Sequence, residues 1–452
     1  MAPAHFGTDG VRGVANEDLT AELALAIGRA TARILPATAF VVGRDTRRWG
    51  PILQAALSAG LASEGADVID LGVLPTPGVA TVAEYRNLPG AMVSASHNPF
   101  GDNGIKLFSS MGTKLPVALE ADVDREITSI LDDPDGPPRR PTGHGVGRIT
   151  ADPEGADLYR KHLAAATEGR TFAGMHIVVD CANGAASAFA PTVLARLGAT
   201  VTALHDTPDG TNINERCGST DPGELARTVA ERGAHLGLAL DGDADRVIAV
   251  DHTGSVVDGD VLLALFALDL AGRGHLAGNT VVVTVMTNLG FRLAMESRGI
   301  SVRETDVGDR HVLAALDADG LSLGGEQSGH IIFRTRSTTG DGILTGIALA
   351  DLLQRSGRSL VDLADGLVER VPQVLLNVPI PQPGRLAGCT EVWEAVHRAE
   401  AELGHDGRVL LRPSGTEPLV RVMVEARAAE QAKEMAARLA DIVESALGQV
   451  GG

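Results

Sequence analysis

The chain has 452 residues, a formal net charge of −19 and 44% hydrophobic residues. At roughly 100–200 residues per domain, this length predicts about three domains, give or take one. The composition is that of a globular protein, and the acidic charge argues against nucleic-acid binding and against electrostatic docking on an anionic membrane. An anionic substrate is compatible with this charge, because a few arginines are enough to make a locally positive pocket.

Cysteine usage and the terminal residues indicate a protein of the reducing cytosol. Cys181, Cys217 and Cys389 are far apart, so neither a disulfide framework nor a CxxC metal motif is visible, and free thiols are expected. The N-terminus lacks the basic and apolar segments of a signal peptide. The longest apolar run, Val261–Leu268, is far shorter than the ~20 residues that span a membrane. We expect a soluble, cytoplasmic protein with no nucleic-acid or membrane partner.

Most of the chain repeats one pattern three times. Each copy reads as strand, helix, strand, helix, strand, with β-branched runs for the strands and a Gly that ends the first helix. The first strands begin at Phe40, Ile177 and Val281, and the third strands are predicted over Ala91–Ser94, Leu236–Leu240 and Leu321–Leu323. Right-handed crossovers place such elements in a sheet with helices on both faces. The sequence therefore predicts α/β architecture, with three similar α/β/α sandwich domains whose sheets are mixed and mostly parallel.

A smaller C-terminal α+β domain is predicted to follow. Past about Arg370 the pattern changes to a strand over Val374–Pro381, a helix over Glu391–Leu403, two strands and a last helix with one apolar face. A stretch rich in Pro and Gly, Asp132–Gly147, separates the first two repeats, and the second boundary falls near Asp251–Asp258. We predict four domains, at residues 1–150, 151–253, 254–368 and 369–452.

Polar loops follow the third strand of each repeat. They are Ser94–Phe100, Asp241–Arg246 and Gly324–His330. Parallel sheets bind ligands beyond the carboxyl ends of their strands, so these equivalent positions are where chemistry is expected.

The second of these loops is a candidate metal site. Asp241, Asp243 and Asp245 alternate along a tight turn between two strands, the first of them buried, and carboxylates spaced in this way can converge on Mg²⁺. An EF-hand is excluded, because Arg246 and His252 stand where its loop requires Gly and Glu. A solvated acidic turn is the alternative, but three carboxylates after a buried strand would repel one another without a cation.

The first loop contains a candidate phosphoryl carrier. Ser96 lies in a sharply turning loop, with Lys106 just beyond it. A hydroxyl beside a metal and a lysine suits phosphoryl transfer, with the lysine either stabilising charge or moving protons. A lone loop serine is more often a turn former. Neither a Gly-x-Ser-x-Gly motif nor a nucleotide-binding phosphate loop is present, which argues against a hydrolase and against nucleotide-driven transfer.

Three further segments carry candidate ligand-binding residues. Arg412–Pro418, followed by Arg421, has the arginines, hydroxyls and glycine of a phosphate-binding loop, although an ordinary Gly-Pro turn is the alternative. Glu326 suits sugar hydroxyls, and His330 is either part of the site or a structural histidine. Arg12 either reaches the site or belongs to an N-terminal turn.

Four motifs together carry a resemblance to a known family. Ser94–Pro99, Asp241–Arg246, Gly325–His330 and Arg412–Pro418 occur in this order and spacing. They resemble the α-D-phosphohexomutase superfamily, and most closely a bacterial branch that acts on glucosamine phosphates. The resemblance extends from Phe6 to the last helix. It implies four domains around a central cleft, which bear in order the phosphoserine, the metal, the sugar-binding residues and the phosphate-binding residues.

The resemblance also implies roles for individual residues. Ser96 would be the phosphoserine, and Mg²⁺ would be held by its phosphate together with Asp241, Asp243 and Asp245. Glu326 and Ser328 would hold sugar hydroxyls. The phosphate that is not transferred would be bound by Arg412, Ser414, Gly415, Thr416 and Arg421. Lys106 and His330 match positions considered for acid–base roles. Arg12 and Arg246 match active-site arginines.

The implied reaction interconverts glucosamine 6-phosphate and glucosamine 1-phosphate through a 1,6-bisphosphate intermediate, and supplies UDP-N-acetylglucosamine synthesis for the cell wall. Glucosamine 1,6-bisphosphate, or glucose 1,6-bisphosphate, would be the activator. A phosphosugar is the expected partner, and a homodimer is one possible oligomeric state. The alternatives are a phosphomannomutase/phosphoglucomutase, a metal-dependent sugar-phosphate phosphatase with Asp241 as its nucleophile, and a non-enzymatic sugar-phosphate sensor.

Overall fold

The structure is a computed structural model, and it describes residues 7, 10–133, 140–414 and 418–448. The chain divides into two compact units. The first comprises Met1–Thr284 and Arg303–Asp365, and the second comprises Val285–Val302 and Gly366–Gly452. The chain therefore passes between the two units three times.

The first sheet carries the Ser96 loop. Its strands are β1 (Val11–Val14), β2 (Ala39–Arg44), β3 (Asp67–Val73), β4 (Gly90–Val93), β5 (Asp102–Phe108) and β6 (Ile149–Ala151), and its helices are α1 (Ala21–Ile34), α2 (Gly50–Ser63), α3 (Thr76–Arg86) and α4 (Val117–Asp132). The strand order is β1-β5-β4-β2-β3-β6. β2 is parallel to β3 and β4, whereas β5 is antiparallel to β1 and β4. The return of the chain through β5 places Lys106 opposite Met92 of β4.

Apolar side chains of this sheet and its helices form one core. Phe40 and Ile105 of the sheet, Ile27 of α1, Leu57 of α2 and Ile127 of α4 are all buried in it. Burying a side chain of this size contributes about 1.5–3 kcal/mol. The core thus fixes the sheet whose strand ends carry the polar loops.

The second sheet carries the acidic turn. Its strands are β7 (His176–Asp180), β8 (Thr200–Leu204), β9 (Leu236–Leu240), β10 (Val247–Asp251) and β11 (Val256–Val257), and its helices are α5 (Glu154–Ala165), α6 (Ala190–Arg196) and α7 (Gly223–Arg232). The order is β11-β10-β9-β7-β8. β7 is parallel to β8 and β9, and β10 returns antiparallel to β9. The turn that joins β9 to β10 is Asp241–Arg246.

The third sheet carries the loop with Glu326 and His330. Its strands are β12 (Thr280–Thr284), β13 (Ser301–Thr305), β14 (Leu323–Gly325) and β15 (Ile331–Phe333) in the order β13-β12-β14-β15, and the helices along this stretch are α8 (Gly259–Gly272), α9 (Leu289–Glu296), α10 (Asp309–Asp319), α11 (Gly342–Ser356) and α12 (Leu360–Ala364). β12 and β14 are parallel, and β15 is antiparallel to β14. The loop of interest joins β14 to β15.

The second unit contains an antiparallel sheet with its own core. The strands β16 (Gln373–Pro379), β17 (Gly407–Pro413) and β18 (Leu419–Ala426) pair in the order β16-β18-β17, and the helices of this stretch are α13 (Thr390–Leu403) and α14 (Ala429–Leu447). Val396 of α13, Val422 of β18 and Leu439 of α14 lie in its core. Within this unit, the buried carboxylate of Glu425 accepts hydrogen bonds from the side chain of Asn288 and the backbone N–H of Leu289, at the start of α9.

The predicted fold class is confirmed. The parallel strand pairs occur in the repeats as expected, and the C-terminal region has the α+β elements predicted for it. The strand after the acidic turn, β10, was predicted, whereas the antiparallel strands β5 and β15 after the other two polar loops were not. They make each loop a connection between two neighbouring strands, which holds it more tightly than a single strand end would. No helix in the described part of the chain has both the length and the apolar character needed to cross a membrane.

Candidate active site

The polar loops after β4, β9 and β14 meet within the first unit. The hydroxyl of Ser96 contacts Asp241, and His330 lies beside Asp245. Lys106 of β5 contacts Asp243 and Asp245. The structure thus brings together residues from all three predicted loops.

The carboxylates of the acidic turn form a buried cluster. One oxygen from each of Asp241, Asp243 and Asp245 lies within 4.8 Å of the others, and the three side chains are buried. Gly242 allows the turn to approach the Ser96 loop, since a Cβ at this position would lie 2.6 Å from the carbonyl oxygen of Ser96. The spacing and burial of these oxygens are those of a site for a hard divalent cation.

The electrostatics of the cluster also fit a cation. Burial, together with the charges of Asp245 and Asp243, raises the pKa of Asp241 well above its usual value. Among the described residues, Oδ1 of Asp243 and Oδ1 of Asp245 are buried and accept no hydrogen bond. Two buried acceptors without a donor are costly, and a bound cation would satisfy both. The donor set therefore fits Mg²⁺.

Ser96 lies at the tip of its loop in a restrained conformation. Its φ of 54° is in the left-handed region, which costs a residue other than glycine about 1–3 kcal/mol. Its hydroxyl donates to Oδ2 of Asp241 at 2.6 Å, and its backbone N–H donates to the hydroxyl of Ser94 at 2.9 Å. The side chain is buried, so the loop aims this hydroxyl at the acidic cluster and away from water.

Arg47 holds the Ser96 loop and was missed by sequence reasoning. Its guanidinium, fully buried beyond the end of β2, donates to the carbonyl oxygens of Ser96 (2.9 Å), Asn98 (2.8 Å), Asp102 (3.0 Å) and Pro99. The available signal was its position in the polar run directly after the first strand of the repeat. Asn214 supports the same loop by donating to the Ser96 and Asn98 carbonyls.

Lys106 is a buried cation within the acidic cluster. Its Nζ lies 2.8 Å from Oδ2 of Asp243 and 3.5 Å from Oδ2 of Asp245. Burial alone would raise the pKa of Asp245, but the charge of Lys106, together with the neighbouring His330, holds it well below its usual range. Thr76, at the start of α3, donates to the same oxygen of Asp243 at 2.6 Å and was also missed by sequence reasoning.

His330 is buried beside Asp245, and its orientation is set by the backbone. Its Nδ1 lies 3.7 Å from Oδ1 of Asp245, which is beyond hydrogen-bond distance. The N–H of Gly340 donates to Nε2 at 3.0 Å. An Nε2 that accepts a hydrogen bond carries no proton, so in this arrangement the ring proton is on Nδ1 and points toward the cluster.

Glu326 and Ser328 lie together in the third loop. Oε1 of Glu326 accepts from the N–H of Gly308 at 3.1 Å, and the hydroxyl of Ser328 donates to Oε2 at 3.4 Å. Both side chains are half-buried. They present a carboxylate and a hydroxyl beside His330, which is a suitable pair for reading hydroxyl groups.

A small cavity joins these residues to two arginines. It has a volume of about 150 Å³ and is lined by Arg12, Ser96, Asp245, Arg246, Val307, Gly308, Asp309, Glu326 and His330. Burial and the charges of Arg246 and Arg12 lower the pKa of His97 to about 4, which keeps this imidazole neutral. Larger cavities of about 390, 500 and 660 Å³ lie elsewhere in the two units, so the chemistry of the lining and not size identifies this one.

Two arginines face each other in the sheet of the second unit. Arg412 of β17 and Arg421 of β18 are directly opposite in the antiparallel register. Like charges at such a position are unfavourable, and burial and the charge of Arg421 lower the pKa of Arg412. An anion would relieve this repulsion. Ser414 lies next to them, with its N–H bonded to the carbonyl of Leu419, whereas Gly415 and Thr416 lie outside the described residues.

The fold and these loops are those of one enzyme family. Three family models described as phosphoglucomutase/phosphomannomutase alpha/beta/alpha domains I, II and III match residues 3–133, 157–254 and 258–371, and the model of the C-terminal domain matches residues 375–442. The chain belongs to this family and is an enzyme of the mutase class, within the α-D-phosphohexomutase superfamily.

Individual relatives narrow the comparison. The phosphoglucosamine mutase of Streptomyces coelicolor is 54% identical over 455 residues, which cover 98% of this chain and 99% of that protein. The crystal structure of a phosphoglucomutase/phosphomannomutase family protein from Burkholderia thailandensis has a TM-score of 0.82 at 25% identity and covers 99% of this chain and 98% of that one. The Aspergillus fumigatus N-acetylphosphoglucosamine mutase in complex with GlcNAc-6P and magnesium shares the fold, with a TM-score of 0.68 at 18% identity over 98% of this chain and 96% of that one.

Proposed function

We propose that this protein interconverts glucosamine 6-phosphate and glucosamine 1-phosphate. The observation that carries the proposal is the 2.6 Å contact between the Ser96 hydroxyl and Asp241, inside a buried cluster of three carboxylates. The similarity to a phosphoglucosamine mutase over nearly the whole chain supports the choice of sugar. A cytoplasmic location and the supply of amino sugar for the cell wall follow from this role.

The reaction begins with Ser96 as a phosphoserine. Its phosphoryl group passes to the O1 hydroxyl of glucosamine 6-phosphate, so the Oγ–P bond breaks, an O1–P bond forms and the O1 proton leaves. The product is glucosamine 1,6-bisphosphate. After this intermediate turns around, the Oγ of Ser96 takes the phosphoryl group from O6 and glucosamine 1-phosphate is released. Glucosamine 1,6-bisphosphate, or glucose 1,6-bisphosphate, restores any enzyme that loses its phosphoryl group.

The residues of the first unit would have separate roles in this phosphoryl transfer. Asp241, Asp243, Asp245 and the Ser96 phosphate would hold Mg²⁺, which neutralises charge on the transferring group. Lys106 and His330 are the candidates for moving protons, because both lie against the carboxylate cluster. Arg12 and Arg246 line the cavity beside Ser96 and would bind phosphoryl oxygens.

Other residues would bind the sugar hydroxyls and the phosphate that does not react. Glu326 and Ser328 would hold hydroxyls that both orientations of the sugar present. Arg412, Ser414 and Arg421, with Gly415 and Thr416, would bind the phosphate that is not reacting. We accordingly propose that the four domains at 1–150, 151–253, 254–368 and 369–452 carry, in order, the phosphoserine, the metal, the sugar-binding residues and the phosphate-binding residues.

The phosphatase alternative is disfavoured by the contacts of Asp241. A nucleophilic carboxylate needs an accessible oxygen, but Oδ2 of Asp241 accepts from Ser96 and Oδ1 accepts from the N–H of Arg246. The phosphomannomutase/phosphoglucomutase alternative stays open, because the family model is described by those names.

A substrate panel distinguishes the sugars. Ser96-phosphorylated protein is assayed with the 6-phosphates of glucosamine, glucose and mannose at equal Mg²⁺ and activating bisphosphate, and Ser96→Ala is the inactive control. The 2-ammonium group offers a charge-assisted contact, so glucosamine phosphate is expected to lead by about 10–100-fold in kcat/KM. A glucose or mannose value equal to or above it would support the phosphomannomutase/phosphoglucomutase alternative.

A further inference from the structure

A second cluster of metal-binding residue types lies at the end of the second sheet. Asp180 ends β7, His205 directly follows β8, and Cys217 precedes the 3-10 turn Gly218–Thr220. One carboxylate oxygen, one imidazole nitrogen and the Cys217 Sγ lie within 4.8 Å of one another. Asp180 and Cys217 are buried, whereas the side chain of His205 is 22% exposed. This cluster shares no residue with the acidic turn.

Sulfur, imidazole and carboxylate together are the ligands of zinc and related borderline cations, not of Mg²⁺. In a tetrahedral site with such bond lengths, ligand atoms lie roughly 3.3–3.6 Å apart, so the separations of up to 4.8 Å seen here require only small side-chain movements. Three protein ligands leave a fourth position, which a water molecule would fill. The partly exposed His205 side chain therefore gives a cation a route to the cluster.

The charge around the cluster also favours a cation. Nδ1 of His205 lies 3.1 Å from Oδ1 of Asp180, and its Nε2 lies 3.5 Å from Glu224. The carboxylates of Glu215, Asp221 and Glu224 also lie near Cys217. The thiol proton of Cys217 would pass to water as the sulfur–metal bond forms.

We propose that Asp180, His205 and Cys217 bind a Zn²⁺-class cation that fixes the segment between His205 and Cys217. Asn214 lies in this segment and donates to the carbonyls of Ser96 and Asn98 at 2.9 and 3.0 Å. Joining both ends of the segment to Asp180 would restrain Asn214 against the Ser96 loop. The site is structural and does not depend on which sugar the enzyme uses.

Cobalt is the probe for this site, because a thiolate ligand gives Co²⁺ a sulfur-to-metal charge-transfer band that oxygen ligands cannot give. Full-length protein is stripped with a chelator, saturated with Mg²⁺ and titrated with Co²⁺, followed by competition with Zn²⁺. About one equivalent of Co²⁺ is expected to bind with this band, and Zn²⁺ should displace it. Zn²⁺ should also raise the Tm of the Mg²⁺-saturated protein.

Matched variants assign the band to Cys217. Cys217→Ser should lose it, whereas Cys389→Ser, which removes a thiol of the second unit, should keep it. His205→Asn tests the partly exposed ligand and should weaken Co²⁺ binding at least about tenfold. The proposal is overturned if saturating Co²⁺ gives no thiolate band or if the band persists in Cys217→Ser. It is also overturned if Zn²⁺ does not change the Tm. Those outcomes would mean that His205 and Asp180 form a contact that holds no metal.

Discussion

Arg47 shows how much one buried side chain can hold in place. Its guanidinium reaches four backbone carbonyls of the Ser96 loop, and its Nε pairs with Asp45 at 2.9 Å. Lysine has the same charge but lacks the planar fork of donors, so it cannot satisfy these carbonyls. We expect Arg47→Lys to lower the free energy of unfolding by about 3 kcal/mol and to reduce kcat. Arg48→Lys, at the exposed neighbouring position, is the control, and equal denaturation midpoints would contradict this role.

Asp243 offers a residue-level test of the cation. It has one oxygen bonded to Lys106 and Thr76, and the other is buried without a donor among the described residues. Asp243→Asn removes a charged ligand, so we expect the Mg²⁺ concentration for half-maximal activity to rise at least about tenfold. A chelator should abolish wild-type activity, and added Mg²⁺ should restore it. Exposed Asp441→Asn is the control, and full activity of metal-stripped protein would refute the requirement.

At the scale of the element, the connection between β15 and α11 positions His330. A Cβ at Gly340 would lie 2.5 Å from Nε2 of His330 and 2.6 Å from two ring carbons. Gly340→Ala must therefore displace the imidazole, and we expect kcat to fall about 10–100-fold. Gly272→Ala is the matched control, since a Cβ there meets no atom within 4 Å.

A double variant separates displacement of the ring from general damage. In a His330→Ala background the ring is absent, so Gly340→Ala should cause little further loss of kcat. Additive losses in the double variant would show that Gly340 acts on the fold and not on His330.

The same connection ends at the N-cap of α11. Asp341 accepts from the N–H of Leu344 and the hydroxyl of Tyr159, and burial raises its pKa to about 7. A carboxyl group with a raised folded-state pKa contributes stability that is fully present below its unfolded pKa near 4 and is lost as the pH rises through about 7. We expect the Tm of Asp341→Asn to fall less than that of wild type between pH 5 and 8. Parallel Tm curves over this range would contradict the assignment.

At the scale of the whole molecule, the second unit should contribute binding energy to catalysis. Arg412 and Arg421 oppose each other across β17 and β18, and an anion bound by both would reduce the repulsion between them. We expect Arg421→Ala to raise KM and lower kcat, because binding of the distant phosphate positions the reacting end. Arg427→Ala, on an exposed side chain of the same unit, is the control. An unchanged kcat/KM for Arg421→Ala would remove this unit from the site.

Contacts between residues that are close in the sequence could be predicted from the sequence, whereas contacts between distant residues were harder to predict. Asp241, Asp243 and Asp245 occupy alternate positions of one short turn, so their convergence could be expected from the sequence. The contact of Ser96 with Asp241, 145 residues away, was expected only from the family resemblance. The antiparallel strand β5 was hidden because Asn103 and Gly104 read as a turn. Arg47 was missed for a different reason, since its partners are mainly backbone carbonyls, which leave no mark in the sequence.

The three passages of the chain between the units limit how the protein can be cut. Ending the chain at Asp365 would leave residues 285–302 in place but remove Glu425, the acceptor for Asn288 and Leu289. Buried donors at the start of α9 would then be exposed or unsatisfied. A shortened protein of this kind should therefore show increased protease sensitivity around α9. Deleting the C-terminal domain would therefore destabilise the start of α9, which remains in the shortened protein.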